Sequence, residues 1–222
     1  MSQVIVFDVN GTLLDLQGLA PEIQQIFGDA ISVRGWFVEV LQHSQTMTLA
    51  GDFAEMGEIA IAVLKMTASG MGLTLDNEAS EAVKQRLTSL PPFPDIIPAL
   101  AALRSAGFRL ATLTNSSTQA LASQLAHARL TEYFEQTLSV DRVRRYKPAP
   151  ETYRSACEAL HIEPSDLLMV AAHGWDVYGA MRAGCRGAFI SRPNQAVFPL
   201  GPQPDYFARD LTDLAQQLIG TR

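Results

Sequence analysis

A carboxylate, an amide and a hydroxyl stand two residues apart at Asp8, Asn10 and Thr12, directly after the apolar run Val4-Ile-Val-Phe7. A continuous β-branched run of this kind reads as a strand buried on both faces of a parallel sheet. Asp8 then falls at the carboxyl end of that strand, where open α/β sheets form their ligand crevice. Gly11 allows a sharp backbone turn, and Thr12 offers a hydroxyl and an N–H beside the acid. From these residues alone, Asp8 serves equally as a nucleophile or as a cap on the following turn.

Three further stretches carry chemistry. In Leu113-Thr-Asn-Ser116 the Thr114 hydroxyl, the Asn115 amide and the N–H groups of a following helix can hold an anion, or simply cap that helix. Lys147-Pro148 follows the cluster Arg142, Arg144, Arg145, and the default for such a lysine is a solvated loop. Val170-Ala-Ala-His-Gly-Trp-Asp176 carries His173, a loop histidine by default, and Asp176, an acid favoured in the first turn of a helix. Each stretch is weak alone. Together, all four follow apolar runs in one order.

The elements that must position them alternate. Helical periodicity and stop signals predict helices over 96–106, 118–128, 150–160, 175–183 and 210–219. Strands are expected at 4–7, 108–113, 137–140, 166–172 and 187–191. Repeated strand–helix units imply a parallel sheet wrapped by helices on both faces. Between Pro21 and Lys84, apolar residues recur only at helical spacing, which gives four or so helices without strands. Leu90-Pro-Pro-Phe-Pro94 breaks any helix and makes a natural return linker. The expected architecture is therefore α/β, a Rossmann-like parallel-sheet core (1–14 and 94–222) with an inserted helical cap (15–93).

Composition sets the class. At 222 residues, 47% hydrophobic and 18% charged, the chain can bury a large core. A net charge of −6 with lysine only at positions 65, 84 and 147 argues against nucleic acid and anionic membrane surfaces. The N-terminal apolar run is interrupted by Asp8 and lacks a basic flank, so it is not read as a signal peptide, and no stretch has the length of a membrane span. Cys157 and Cys185 lie in apolar sequence outside any CxxC motif and read as buried free thiols of a cytoplasmic protein.

Taken in order, Asp8, Thr114, Lys147 and Asp176 resemble the four signatures of the haloacid dehalogenase superfamily: a nucleophilic Asp, a Ser/Thr, a Lys and an acid, each after a successive strand or in the loop beyond it. Within it the chain is most similar to the type II (S)-2-haloacid dehalogenases, through Thr12, Thr114-Asn115, Lys147-Pro148 with Tyr153, and Trp175-Asp176. The resemblance implies a hydrolase that displaces halide from a small 2-haloalkanoic acid by attack of Asp8, forming an ester that water then cleaves. It also implies that Lys147 keeps Asp8 ionised and stabilises the oxyanion of hydrolysis. Thr114, with N–H groups near Asn115, takes the substrate carboxylate. Asp176 orients Lys147 and water, His173 is an auxiliary base, and Thr12 fixes the nucleophile. No cofactor is implied, and a homodimer is compatible with the resemblance.

Departures from that family are informative. Dehalogenases of this type have a tyrosine where this chain has Asn10, an arginine for the departing halide near Phe37, a serine near Ala171 and an asparagine at His173. Arg34 or His43, on neighbouring helical turns, are alternative cations. Trp36, Phe37 and Trp175 can instead form an aromatic wall whose ring edges tolerate a halide, or Trp36 and Phe37 can be cap core. A superfamily phosphatase needs Mg²⁺, an acid two residues after the nucleophile and a metal-binding Asp four residues before the last acid. Asn10 and Ala172 occupy those positions, so dehalogenation fits better. The alternatives are a Mg²⁺-dependent phosphatase and a catalytically silent anion binder.

Overall fold

The computed structural model describes residues 3–221; Met1, Ser2 and Arg222, which the expected core includes, lie outside the described residues. The chain opens with β1 (Val4–Phe7). It then forms α1 (Ala20–Phe27), α2 (Val33–Ala50), α3 (Met56–Gly70) and α4 (Asn77–Leu87) with no strand between them. Local chemistry sets these boundaries. Ser32 Oγ accepts from Gly35 N at 3.1 Å to open α2. A reciprocal box between Glu55 and Glu58 opens α3.

From α5 (Ile96–Ser105) onward strands and helices alternate: β2 (Arg109–Thr114), α6 (Thr118–His127), β3 (Gln136–Ser139), α7 (Pro150–Leu160), β4 (Leu167–Ala171), α8 (Gly174–Arg182), β5 (Arg186–Ile190), β6 (Tyr206–Ala208) and α9 (Leu211–Gly220). The expected boundaries hold to within a residue or two. The exception is β6, a three-residue edge strand for which no expectation was made.

The six strands run β3-β2-β1-β4-β5-β6, all parallel. This is the Rossmann-like sheet. β1 lies inside it, and its four residues are fully buried. Val4 and Val6 pack on one face with Tyr153, Cys157, Leu160 and Met169, while Ile5 and Phe7 join the larger cluster on the other. Such two-faced burial is why the run shows no polar alternation. Phe7 is level with Thr112 and Val170, so the next residues, Asp8, Leu113 and Ala171, share one rim.

The four helices between β1 and α5 leave and return through one gate. Asp15 N donates to Pro91 O at 2.8 Å, and Phe93 N to Leu13 O at 3.0 Å. Among the described residues, no helix is long and apolar enough to cross a membrane.

Candidate active site

The end of β1 aims Asp8 at the crevice. Its own N–H is held by Val170 O at 3.0 Å, and the turn through Gly11 (φ +78°) brings Thr12 back beneath it. The Thr12 hydroxyl donates to Asp8 Oδ2 at 2.7 Å and accepts from Ala172 N at 3.0 Å, so both of its roles are fixed. A side chain at position 11 would also run against His173, 3.0 Å from where a Cβ would stand.

Lys147 is not the solvated loop residue that its local sequence gives by default; it stands beside Asp8, as the resemblance implies. Its side chain is fully buried, and the ammonium Nζ donates to Asp8 Oδ1 (2.9 Å), Leu113 O (3.0 Å) and Asp176 Oδ2 (2.6 Å). All three of its hydrogens are used. The loop that delivers it carries a cis Lys147–Pro148 bond and is tied down by Asn115, whose Oδ1 accepts from Lys147 N at 3.1 Å.

Asp176, in the first turn of α8, is likewise fully buried, and its Oδ1 accepts from the Tyr153 hydroxyl at 2.7 Å. The charges sort the two acids. Burial alone would raise the Asp8 carboxyl, but Lys147, His173 and Thr12 outweigh it and hold Asp8 well below the usual carboxylate range. Burial, helped by the charge of Asp8, raises Asp176 despite the pull of Lys147. Burial would lower Lys147, yet its two carboxylates raise it, so the ammonium persists. Burial and the neighbouring Asp176 push the Tyr153 phenol well above its ordinary value, which keeps it a donor.

His173 completes the ring around the nucleophile: Nδ1 lies 3.0 Å from Asp8 Oδ2. An ionised carboxylate only accepts, so Nδ1 carries the hydrogen and Nε2 of the neutral ring is left as an acceptor. The imidazole lies between Trp175, stacked at 5.4 Å, and Phe37 at 6.4 Å.

The expected anion cradle after β2 is partly spoken for. Thr114 Oγ1 accepts from Ser116 N at 3.2 Å, Asn115 supports the Lys147 loop, and Asp141 Oδ2 takes Thr118 N, at the start of α6, at 2.7 Å. Asn10 is turned aside: its Nδ2 donates to Ser116 Oγ at 2.9 Å and its Oδ1 accepts from Gln124 at 3.0 Å. Phe37 is half-buried and lines a hollow together with Asn10. His43 lines a different hollow between α2 and α3, and Arg34 is exposed. The structure thus gathers Asp8, Thr12, Lys147, Tyr153, His173 and Asp176 into one bonded group, flanked by Phe37 and Trp175, with Asn10, Thr114 and Asn115 at its edge.

Sequence reasoning passed over Ser116 and Gln124, and also Arg192. The Arg192 guanidinium donates to Thr12 O through Nε (3.2 Å) and Nη2 (3.1 Å), forks onto both Asp95 oxygens at 2.9 Å, and lies 4.0 Å over the Phe93 ring. It thereby fixes the carbonyl of the residue whose hydroxyl holds Asp8. Its only local signal was an arginine shortly after a strand.

The donor set fits a metal poorly. Position 172 presents a methyl group, Asn10 is bonded to Ser116 and Gln124, and both Asp176 oxygens are taken. Among the described residues, no group of three or more His, Cys, Asp or Glu side chains is arranged to hold an ion.

Comparison with known proteins places the chain beside the haloacid dehalogenase-like hydrolases: residues 3–184 match the model of that family. The (S)-2-haloacid dehalogenase 1 of Pseudomonas sp. (strain CBS-3) is 31% identical over 96% of this chain and 95% of its own. Haloacetate dehalogenase H-2 of Moraxella sp. (strain B) is 32% identical over 92% of each chain. The L-2-haloacid dehalogenase of Xanthobacter autotrophicus, solved with chloropropionic acid covalently bound, superposes with a TM-score of 0.91 at 27% identity over the full length of both chains.

Proposed function

Because the chain belongs to the haloacid dehalogenase-like hydrolase family, we propose that it hydrolyses the carbon–halogen bond of small 2-haloalkanoic acids through an ester on Asp8, giving a 2-hydroxy acid and halide. It is a hydrolase of carbon–halide bonds. One observation carries the choice of chemistry: the nucleophile is a buried carboxylate kept ionised by Lys147, and the residue two positions on is an amide tied to Ser116 and Gln124. A phosphate ester expels an alkoxide and needs an acid to protonate it and a metal to offset the phosphate charge; a halide leaves without a proton. The acid covalently bound in the Xanthobacter relative is in keeping with an ester intermediate.

In this reading an Asp8 oxygen attacks the halogen-bearing carbon from behind, the C–O bond forms, and halide departs with the bonding pair. Water then adds to Asp8 Cγ and gives a proton to His173 Nε2. Lys147 stabilises the oxyanion; on collapse the departing alkoxide takes the proton back from His173 and leaves as the hydroxy acid, and the Asp8 carboxyl loses its own proton to solvent and is restored as carboxylate. Thr12 holds the carboxylate, Tyr153 and Asp176 orient Lys147, and Thr114 with the N–H groups beside Asn115 receives the substrate carboxylate. Phe37 and Trp175 offer their weakly positive ring edges to the departing halide, with Asn10 at the same wall.

The same reading assigns 1–14 and 94–222 to the catalytic core and 15–93 to a cap over it. The paired linkers at Asp15–Pro91 and Leu13–Phe93 support that division. Two buried free thiols favour a cytoplasmic setting. Val38 and Leu49 on α2 and Met66 on α3, each roughly half exposed or more, favour a homodimer. No cofactor is required by the chemistry.

The test is a single turnover of (S)-2-chloropropionate in H₂¹⁸O. Label should enter the Asp8 carboxylate in the first turnover and reach product only later. Label appearing at once in lactate would mean that water attacks carbon directly, and the ester assignment would fall.

A further inference from the structure

The hollow beside the nucleophile is larger than a two- or three-carbon acid needs. It encloses about 310 Å³ between the four-helix insert and the core, within the range of pockets that hold whole small-molecule ligands. It adjoins the reacting centre, although Asp8, Lys147 and His173 do not themselves line it: Asn10, which does, belongs to the nucleophile loop, and Phe37 faces His173, which contacts Asp8. From there it runs away from Asp8 along an apolar wall formed by Trp36, Val40, Met56 and Ala60 of α2 and α3. Two charged residues line it, Lys84 and Glu55; they are opposite in sign and both exposed, so they mark the mouth rather than the interior. A polar wall of Ser and Gln side chains from α6 and the loop before it faces the apolar one.

We infer that this hollow receives the side chain of an extended 2-haloacid, a neutral and largely apolar tail of about four to six carbons, while the carboxylate and the reacting carbon remain at Asp8. The inference rests on the dehalogenase reading and adds to it the class of acid preferred. Charge gives a second carboxylate on the tail no advantage, since the one cation lining the hollow, Lys84, is exposed at its mouth and matched there by Glu55. Size decides against haloacetate as the best substrate, because it would leave the apolar wall against water. Each methylene moved from water onto that wall is worth about a threefold to fourfold gain in kcat/KM.

The experiment is a series of (S)-2-bromopropionate, (S)-2-bromohexanoate and (S)-2-bromooctanoate assayed for bromide release, repeated with Ala60→Phe, which fills the hollow from its apolar wall. In the unaltered protein kcat/KM should rise at least tenfold from propionate to hexanoate. In Ala60→Phe the hexanoate-to-propionate ratio should fall at least tenfold. Bromide from propionate with a flat or falling series overturns this inference and leaves the dehalogenase reading standing; a ratio that survives Ala60→Phe places the tail elsewhere and overturns it too. No bromide from any member overturns both. The chain-length series needs no variant, so it decides even if Ala60→Phe fails to fold.

Discussion

Asp8 and Asp176 share one ammonium group, Lys147 Nζ lying 2.9 Å from an oxygen of the first and 2.6 Å from an oxygen of the second. The sharing is unequal in consequence. Lys147 favours ionisation of both, but only at Asp8, where His173 and Thr12 add to it, does that pull prevail; at Asp176 burial and the charge of Asp8 outweigh it, which separates a nucleophile from a structural acid.

Lys147→Met should therefore damage both stability and rate. Removing the cation strands two buried carboxylates against each other, at a cost of about 3–5 kcal/mol. Turnover should fall by roughly 10²–10³-fold as the oxyanion loses its donor. Urea unfolding with a parallel halide assay checks this, and an unchanged unfolding midpoint would refute the arrangement.

The reading of Lys147 shows where the sequence was legible and where it was not. Asp8, Thr114, Lys147 and Asp176 stood out because each closes or follows a strand, a local relation that periodicity reveals. The burial of Lys147 was hidden, because its partners lie 139 and 29 residues away. Gln124 reads as an ordinary helix residue; only the fold brings it to Asn10 and to Leu87 O. Arg192 needs Asp95, 97 residues distant, to become more than a loop cation. β6 was missed because three residues after a proline-rich stretch carry almost no periodic signal.

Asp8→Asn should abolish turnover while the protein stays folded, and it should also change how stability responds to acid. The native Asp8 carboxyl titrates below its ordinary value of 3.8. Its ionised form thus stabilises the native state above that pH, and the contribution disappears as pH falls through the lower native value. Unfolding of the two proteins compared from pH 5 down to pH 2.5 should show the wild type losing stability relative to the variant. A gap that widened instead would mean that burial, not Lys147, governs Asp8.

His173→Gln keeps a polar group beside Asp8 but removes the proton acceptor. The rate of ester hydrolysis should drop by about 10²-fold or more, and the alkylated enzyme should accumulate. Intact-protein mass spectrometry after mixing with substrate would reveal the added acid on Asp8. Absence of any build-up together with a slowed overall rate would move His173 to the first step.

Halide release should be indifferent to EDTA, because Ala172 stands where a metal-binding Asp would be required and both Asp176 oxygens are taken. Assays with and without the chelator settle it. A strict requirement for Mg²⁺ would restore the phosphatase reading.

The interior position of β1 bears on how the molecule comes into being. The strand carrying Asp8 is made before either neighbour, and those neighbours start at Arg109 and Leu167. The arginine that fixes the Thr12 carbonyl arrives 180 residues after it. On a ribosome the sheet must therefore wait, its wholly apolar first strand unpaired, while the helices that follow it are already complete. Sheets closed by such distant pairings form slowly and expose aggregation-prone surface in the interval. Chains arrested before Arg109 and after β4 has emerged, and then treated with protease, should protect β1 only in the longer form. Catalytic competence is on this account a late acquisition of the growing polypeptide, and dependence on chaperones should be greatest in the window between synthesis of Thr12 and synthesis of Arg192.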